Sequence, residues 1–380
     1  MATPPGKVQV AEGLEGVVAG LSSICLVDGV NGRLLYRGYD AIELADRATF
    51  EEVAYLLWHG DLPSRSALDR LRADLVAAGR LPAPVVQVLR LVPPDAHPMA
   101  VLRTAVSTLA HFDPDAADNA PAANLRKAIR LTAQVAAIVA GFQRLRTGAE
   151  PLTPLPTLGH AANFLYLLHG TAPDPEVARA LDVVLILHAD HEFNASTFSA
   201  RVTAATLSDL HSAVVSAIGT LKGPLHGGAN EEVMRLLEQI GTVDRVEPVI
   251  AEMLAARKKV PGFGHRVYRT EDPRARILRP LSQRLGERAG DVRWYELTRR
   301  VEDVMTAQRR IHANVDLYSA SVYRAMGIPT DLYTAVFAVS RIVGWTAHVM
   351  EQYADNRLIR PVSEYVGPLD RVFVPIEERR

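Results

Sequence analysis

Residues 49–79 read TFEEVAYLLWHGDLPSRSALDRLRADLVAAG and carry the signatures of two consecutive helices. Thr49 and Glu52 are spaced as a capping box at the start of the first helix, and Gly60 stands where that helix ends. The second segment also meets a glycine, Gly79. Apolar residues recur at helical spacing in both segments, at Val53, Leu56, Leu57, Ala67, Leu68, Leu71 and Leu75. This pattern predicts a mostly α-helical chain.

The sequence on either side of these helices predicts little β-structure. Residues 24–36 hold two short apolar stretches around the turn-rich Asp-Gly-Val-Asn-Gly at 28–32, which is typical of a small β-hairpin. Residues 131–142 are apolar or small nearly all round, so this segment should be buried on several sides, either centrally or against another subunit. Residues 113–121 and 148–157 are rich in proline, alanine and acids and indicate loops.

Composition restricts the class of protein. The chain has 380 residues, 48% hydrophobic and 22% charged, the ordinary balance of a water-soluble globular protein. Its 42 basic and 43 acidic residues nearly cancel, which disfavours nucleic-acid and membrane-surface binding. There is no apolar run of about eighteen residues, and residues 1–13 lack the apolar core of a secretory signal. A single cysteine, Cys25, suits a reducing compartment, so we expect a cytoplasmic protein.

A first cluster of chemically active residues lies at 187–194, Leu-His-Ala-Asp-His-Glu-Phe-Asn, at the end of an apolar helix-like run. His188 and His191 are spaced to lie near one helix face, as two metal ligands would be. The residues after His191 lack the second histidine of the His-Glu-x-x-His zinc motif, so the pattern argues against a metal site. Core histidines bonded to the backbone are the alternative to a substrate site.

A second histidine, His226, lies between glycines in Gly-Pro-Leu-His-Gly-Gly-Ala-Asn, residues 223–230. A helix is predicted to begin near Asn230, and glycines at its entry let a substrate approach the backbone closely. The stretch lacks the Gly-x-x-x-x-Gly-Lys-Ser/Thr order of a phosphate-binding loop. A helix-breaking turn with an incidental histidine is the alternative.

A third histidine, His265, follows a glycine turn in residues 258–269, Lys-Lys-Val-Pro-Gly-Phe-Gly-His-Arg-Val-Tyr-Arg. Val267 occupies the third-glycine position of a dinucleotide fingerprint and no strand is predicted before the turn, so that interpretation is rejected. Five cations, counting Arg274, surround the turn and are able to face phosphates or carboxylates. A solvated charged loop is the alternative.

Two single residues stand out downstream. Asp316 lies in Asn-Val-Asp-Leu-Tyr-Ser, residues 314–319, where a lone aspartate is usually a cap or a surface charge. Arg341 lies in an apolar helix, where its burial is costly unless an anion pairs with it or the side chain reaches water.

Taken together and in this order, these segments resemble the citrate synthase family. The motifs that carry the likeness are His-Ala-Asp-His-Glu-Phe-Asn, Gly-Pro-Leu-His-Gly-Gly-Ala-Asn, Pro-Gly-Phe-Gly-His-Arg and Asn-Val-Asp. The likeness extends to residues 16–38, to the helix at 51–63 and to Arg-Pro-Val-Ser at 360–363, so it spans nearly the whole chain. Larger members carry two glycines after the His-Glu pair, whereas this chain has Phe193 alone, which is similar to the short prokaryotic forms.

The resemblance implies a two-domain all-helical fold with the small N-terminal β-hairpin. Residues 1–226 and 327–380 would form the large helical domain, and residues 227–326 a small helical domain carrying CoA-binding and catalytic residues. It also implies a symmetric homodimer with the active site in the cleft between the domains.

The resemblance assigns residues by matching motif to motif. The catalytic positions are His226, His265 and Asp316. The oxaloacetate-binding positions are His191, Asn194, Arg274, Arg341 and Arg360, the last reaching across from the partner subunit. The CoA-binding positions are Pro261, Gly262, Phe263, Gly264 and Arg269. No metal and no permanently bound cofactor is expected, and acetyl-CoA is a co-substrate.

The activity implied is a tricarboxylic acid cycle reaction, condensation of acetyl-CoA with oxaloacetate followed by thioester hydrolysis to citrate and CoA. The nearest alternative is 2-methylcitrate synthase, which uses propionyl-CoA; one methylene is worth only about 1–3 kcal/mol of discrimination in a pocket. A citryl-CoA lyase and an inactive helical scaffold are more distant alternatives. The scaffold predicts loss of the histidines or the aspartate, yet all are present.

Overall fold

The computed structural model describes residues 11–379, which contain sixteen α-helices and one small three-stranded sheet. Residues 1–10, most of the stretch judged to lack a secretory signal, and Arg380 lie outside the described residues. The first eight helices are α1 Ala41–Arg47, α2 Phe50–His59, α3 Arg65–Ala78, α4 Ala83–Leu91, α5 Pro98–Leu109, α6 Pro121–Arg146, α7 His160–His169 and α8 Pro175–His188. The others are α9 Ala195–Ala205, α10 Leu210–Leu221, α11 Ala229–Ile240, α12 Val246–Ala255, α13 Pro273–Ala289, α14 Arg293–Arg309, α15 Val315–Ala325 and α16 Tyr333–Ala354.

The two helices predicted from residues 49–79 are α2 and α3. The capping box is present, because the backbone N–H of Thr49 donates to Glu52 (2.8 Å) and the N–H of Glu52 donates back to Thr49 (3.4 Å). Gly60 ends α2 at a φ of 92°, a left-handed conformation that favours glycine. Gly79 has an ordinary φ of −74° after α3, so its role is spatial: a Cβ there would lie 2.5 Å from a side-chain carbon of Pro154.

The predicted hairpin is confirmed and gains a third strand. Strands β1 (Cys25–Asp28) and β2 (Arg33–Tyr36) pair antiparallel, with Cys25 opposite Tyr36. Strand β3 (Tyr39–Asp40) pairs with the end of β2. Two residues carry no alternation of polarity, so β3 has no sequence signal of its own.

Helix α16 is the centre of the large core, and most of its residues are buried on every side. It packs against α2, α5, α6, α8, α9, α10 and α11. The apolar segment at 131–142 is the buried half of α6 and packs on α16, so it lies centrally within this chain. A helix that is apolar all round is stable only when other elements cover all its faces.

Helices α11 to α15 pack mainly on one another and touch the rest through α11 against α16 and α13 against α8 and α1. The predicted small domain, residues 227–326, contains the same five helices, and its boundaries remain a prediction. None of the helices in residues 11–379 is both long and apolar enough to cross a bilayer. Within the same range, no three histidine, cysteine or acidic side chains group as metal ligands.

Candidate active site

The fold brings together two histidines that are far apart in sequence. His191 follows the C-terminus of α8, and His265 lies in the loop before α13. Their ring centroids are 5.1 Å apart, and the ring of Tyr268 lies 4.5 Å from that of His265 and 5.7 Å from that of His191. Two of the three histidine segments singled out in the sequence therefore meet at one place.

His265 is held in one tautomer by its own loop. The backbone N–H groups of Val267 and Tyr268 both donate to its Nδ1, each at 3.0 Å. Nδ1 therefore carries a lone pair, and the proton of the neutral ring is on Nε2. Burial, helped by the charge of Arg274, lowers the pKa of His265 to about 4. At neutral pH this residue is an uncharged Nε2–H donor.

His226 shows the opposite tautomer by the same kind of argument. The backbone N–H of Ser196, in the first turn of α9, donates to His226 Nε2 at 3.2 Å, and Ser196 Oγ lies 2.8 Å from that nitrogen. Since Nε2 accepts, the ring proton is on Nδ1. Burial, with a contribution from Arg341, lowers the pKa of His226 to about 4. His226 is thus an uncharged Nδ1–H donor.

Asn194 and Trp345 hold the partner of His226. Asn194 is the N-cap of α9; its Oδ1 accepts from the backbone N–H of Thr197 (3.1 Å) and from Ser196 Oγ (2.8 Å). The indole N–H of Trp345 donates to Ser196 Oγ at 3.1 Å. The Asn194 amide nitrogen also has a protein partner, Thr197 Oγ1 at 2.9 Å. Both ends of this amide are therefore used within the protein.

Asp316 lies in the first turn of α15. Asn314, the N-cap of this helix, accepts from the N–H of Asp316 (3.0 Å) and donates its amide to the carbonyl of Gly264 (2.9 Å). Burial raises the pKa of the Asp316 carboxyl to about 6, even though Arg274 and Arg341 act in the opposite direction. A carboxyl with such a pKa is ionised at neutral pH and is more basic than an ordinary aspartate.

Arg274 is held by Asp272, which precedes it by two residues. Arg274 is only 3% exposed, and its Nε and Nη2 donate to the two carboxylate oxygens at 3.0 and 2.8 Å. Burial opposes both charges, but the pair keeps the pKa of Arg274 above and that of Asp272 below the ordinary values. The N–H of Val315 also donates to Asp272 (3.1 Å), so one carboxylate links the arginine to the helix that carries Asp316.

Arg341 is a buried cation that forms no ion pair with the described residues. It is 2% exposed, its Nε donates to the carbonyl of His188 at 2.7 Å, and its guanidinium lies 4.7 Å from the ring centroid of Phe337. Within residues 11–379 it forms no ion pair, and burial lowers its pKa. Of the two roles open from sequence, reaching water is wrong, because the side chain stays in the core. Such a charge is costly unless a ligand anion compensates it.

Two histidine nitrogens beside these arginines lack partners. Nε2 of His188 and Nε2 of His191 are buried and have no hydrogen bond to any described residue. Burial lowers both pKa values, that of His188 to about 3, and the charge of Arg274 contributes in both cases. Buried polar atoms are normally satisfied. The unpaired nitrogens and the cation without an ion pair are together the groups that a polar, negatively charged ligand would satisfy.

The glycine turn at 261–264 rests on the helix that carries Asp316. The carbonyl of Gly262 accepts from the N–H of Asn314 (3.0 Å), and the N–H of Gly264 donates to the carbonyl of His312 (3.1 Å). Gly262 has a φ of 84°, and a Cβ there would lie 2.9 Å from a side-chain carbon of Leu317. Pro261 and Phe263 are half-buried, and Arg269 is exposed without an ion pair among the described residues.

Arg360 is not brought to these residues by its own chain. It lies in the extended segment after α16, is exposed, and makes no hydrogen bond or ion pair within residues 11–379. Its predicted role therefore depends on a second subunit.

Sequence reasoning missed Ser196, Trp345 and the anchoring role of Asp272. Asp272 had a local signal, because an aspartate directly before a proline is a frequent helix start, and it is indeed the N-cap of α13. Ser196 and Trp345 had none, since each acts by a contact with a residue far away in the sequence.

Comparison with known proteins gives consistent results over nearly the whole chain. The sequence profile "Citrate synthase, C-terminal domain" matches residues 13–362. The chain is 50% identical over 368 residues to "Citrate synthase 2" of Bacillus subtilis, covering 97% of this chain and 98% of that protein. It is 44% identical over 375 residues to a 2-methylcitrate synthase of Shewanella oneidensis, covering 98% and 99%. A solved citrate synthase of Thermoplasma acidophilum, in a ternary complex with carboxymethyl coenzyme A and oxaloacetate, superposes with a TM-score of 0.93 at 33% identity, covering 98% of this chain and 100% of that one.

Proposed function

The chain belongs to the citrate synthase family, and we propose that it condenses acetyl-CoA with oxaloacetate and hydrolyses the product to citrate and CoA. This makes it an acyltransferase that converts the acyl group into an alkyl group on transfer. The observation that carries the proposal is the buried, unpaired Arg341 beside neutral histidines and an aspartate of raised pKa. We place the reaction in the cytoplasm on the sequence argument alone.

Oxaloacetate is a dicarboxylate, and arginines bind carboxylates through two parallel hydrogen bonds. Arg341 has both Nη groups free of protein partners within residues 11–379, and Arg274 has its Nη1 free. His191 Nε2 lies among them without a partner. We assign these three side chains to the carboxylates and the ketone group of oxaloacetate, with Asn194 acting through Ser196 and the α9 N-terminus.

Condensation begins with removal of a proton from the acetyl methyl group. A thioester methyl is a very weak carbon acid, so the base succeeds only if the developing enolate oxygen is stabilised in a dry site. Asp316 takes the proton, and its raised pKa makes it a better base than an ordinary aspartate. His226 donates its Nδ1–H to the thioester oxygen, a role fixed by the Ser196 amide on Nε2.

The enol carbon then forms a bond to the ketone carbon of oxaloacetate, and the electron pair of the C=O bond moves to its oxygen. His265 supplies the Nε2–H that polarises this oxygen and protonates the new alkoxide. Water next attacks the thioester carbon, the C–S bond breaks, and the thiolate leaves as CoA after taking up a proton. The glycine turn at 261–264 and Arg269 are assigned to the CoA nucleotide.

The first test is release of free CoA thiol from acetyl-CoA and from propionyl-CoA, each with and without oxaloacetate. We expect oxaloacetate-dependent release with acetyl-CoA as the preferred substrate. The similarity to the Shewanella 2-methylcitrate synthase makes propionyl-CoA the specific alternative, and a preference for it would change the acyl substrate. Absence of release with both would contradict the proposal.

We also propose a homodimer in which the C-terminal segment of one subunit completes the site of the other. Residues 355–379 follow α16 as an extended, largely exposed segment. Its exposed apolar side chains are Leu358, Val362, Tyr365, Val366, Leu369, Val372, Phe373, Val374 and Ile376. Such a concentration of exposed apolar residues is typical of an interface. Arg360 lies at the start of this segment, where it would supply a third arginine to oxaloacetate.

Mixing two inactive variants tests this arrangement. Asp316→Asn and Arg360→Ala dimers are unfolded together in equal amounts and refolded. If Arg360 acts across the interface, each mixed dimer has one site with both native residues, so about a quarter of wild-type activity should return. Each variant refolded alone is the control. No gain over the controls would place Arg360 in the site of its own chain or outside the site.

A further inference from the structure

The hairpin formed by residues 25–36, called the brace below, lies between the two segments that carry His191 and His265. One end contacts the loop after α8, and the other contacts the loop before α13. These loops are joined to different groups of helices, α8 in the large core and α13 in the group α11 to α15. The brace is thus a direct link between them close to both rings.

The first end of the brace is Tyr36, whose side chain is fully buried. Its hydroxyl lies 3.1 Å from the carbonyl of Ile186 and 3.1 Å from that of Asp190, and it accepts from the N–H of Asp190 at 3.3 Å. The carbonyl of Ile186 also accepts from the N–H of Ala189 at 3.2 Å, whereas the N–H of Asp190, one residue further on, donates to Tyr36 and not to the helix. Tyr36 therefore holds the chain on both sides of the turn that leads into His191.

The second end is the turn at Gly29. Its carbonyl accepts from the N–H of Arg269 at 2.9 Å. A Cβ at position 29 would overlap the carbonyl oxygen of Val267 and lie 2.7 Å from the carbonyl carbon. Gly29 is not among the residues with positive φ, so the lack of a side chain serves this close approach and not the backbone conformation. The contact is made to the residue whose N–H holds His265.

The turn itself is rigid. Asp28 Oδ1 accepts from the N–H groups of Val30 (3.1 Å) and Asn31 (2.9 Å), and Asn31 Nδ2 donates to Asp28 Oδ2 at 2.7 Å. Four residue pairs are in register between the two strands. A displacement of one end of the brace therefore also displaces the other end.

The local bonds of His265 do not replace this link. The N–H groups of Val267 and Tyr268 orient the ring relative to its own loop, but they do not fix the loop relative to α8. Residues 264, 266, 267, 269 and 270 of this loop are exposed, so packing restrains the loop mainly through the one buried ring of Tyr268. The contact with Gly29 adds, at the loop itself, a backbone restraint to the packing of α13 on α8.

We propose that the brace sets the separation of the His191 and His265 rings, and that Gly29 and Tyr36 are positioning residues for the reaction. This inference rests on the proposed roles of the two histidines at oxaloacetate. It requires that oxaloacetate be bound by one ring and polarised by the other at a fixed spacing.

Gly29→Ala is the main test. Relief of the overlap requires the His265 loop to retreat by roughly 1 Å. Misplacement on that scale costs up to about a hundredfold in rate, so we expect kcat to fall by about tenfold or more. The ketone stretching frequency of bound oxaloacetate, labelled with carbon-13, should shift toward its value in water, because His265 polarises it less. The KM for acetyl-CoA should change little.

Two control variants separate positioning from general damage. In Gly219→Ala the new Cβ would lie 4.0 Å from its nearest neighbour, a side-chain carbon of Arg103. Val30→Ala removes a side chain that is 74% exposed on the turn that contains Gly29. Both should keep wild-type kcat and carbonyl frequency. Tyr36→Phe, which keeps the buried ring, tests the other end and should lower kcat with a similar frequency shift.

The outcomes distinguish the inference from the function on which it rests. If the wild-type protein shows no oxaloacetate-dependent thiol release, the proposed function fails. If the wild-type protein is active and both Gly29→Ala and Tyr36→Phe keep its kcat and carbonyl frequency, the brace does not position the histidines. Should Gly29→Ala not fold, Tyr36→Phe decides alone.

Discussion

Replacement of Asp316 by asparagine is expected to abolish condensation. The amide cannot take the methyl proton, and loss of a positioned general base costs about 10²- to 10⁴-fold. Oxaloacetate binding should be kept or strengthened, because the substitution removes a negative charge near Arg274 and Arg341. Thiol release measures the first effect, and calorimetric titration with oxaloacetate measures the second. Normal turnover would remove Asp316 from the mechanism.

The same variant should be more stable than the wild type. The pKa of Asp316 rises from 3.8 to about 6 on folding. The unfolded chain therefore binds fewer protons between these values, and the free energy of unfolding falls as pH rises through this window. Above pH 6 Asp316 is ionised in both states, and the loss in free energy of unfolding has reached its full size. Asparagine carries no charge, so Asp316→Asn should raise the free energy of unfolding by on the order of 1–2 kcal/mol, after allowance for water in the cleft.

Asp331→Asn is the matched control for stability. Asp331 is bonded to Arg146, which lowers its pKa, so this substitution should reduce stability slightly and leave activity intact. If both variants lose stability, the raised pKa of Asp316 is not a folding cost.

The pH profile of the wild type follows from the same carboxyl. The value of kcat/KM for acetyl-CoA should fall below pH 6 as Asp316 is protonated. His226 and His265 have pKa values of about 4, so both stay neutral around pH 6 and above. They should therefore cause no further change of kcat/KM near neutral pH. An acid limb centred near pH 4 would contradict the assignment.

Truncation of Arg341 is expected to act on binding and not on the proton transfer. Loss of one partner from a buried charge pair costs about 2–5 kcal/mol, so Arg341→Ala should raise the Kd for oxaloacetate by about 30-fold or more. The guanidinium forms no ion pair within residues 11–379 of the free protein, and only the more distant carboxylate of Asp190 acts on its charge, so a ligand carboxylate would be its first direct anionic partner. Titration with oxaloacetate is the measurement.

Arg341→Met separates charge from packing. Methionine fills much of the volume beside Phe337 but has no charge, so it should bind oxaloacetate as poorly as alanine while the free protein is at least as stable as wild type. Arg300→Ala, which removes an exposed ion pair with Glu247, is the surface control. Unchanged oxaloacetate affinity in both Arg341 variants would contradict the proposed role.

The sequence predicts local features of this fold well. The capping box of α2, the hairpin and the entry of α11 each depend on a few neighbouring residues, and all three are present in the structure. Arg341 shows the limit of this reasoning. The apolar neighbours of Arg341 in the sequence allowed its side chain to be either buried with an anion or exposed to water. Only the packing of α16 inside the core decides that the side chain is buried.

Long-range partners could not be predicted in this way. Trp345 reaches Ser196 across 149 positions, and Gly29 meets Arg269 through a backbone contact that leaves no residue-type signal. The motifs identified which side chains are reactive, but the tautomers of His226 and His265 depend on backbone N–H groups. The directions in which these N–H groups point are determined only when the chain has folded.

The exposed C-terminal segment has a consequence for how the enzyme matures. Residues 355–379 follow all sixteen described α-helices, and their apolar side chains find little cover within their own subunit. If they complete the site of a second copy, a newly made chain is inert until it meets another. The share of active protein in a cell would then rise more steeply than its expression level, because pairing depends on the square of subunit concentration.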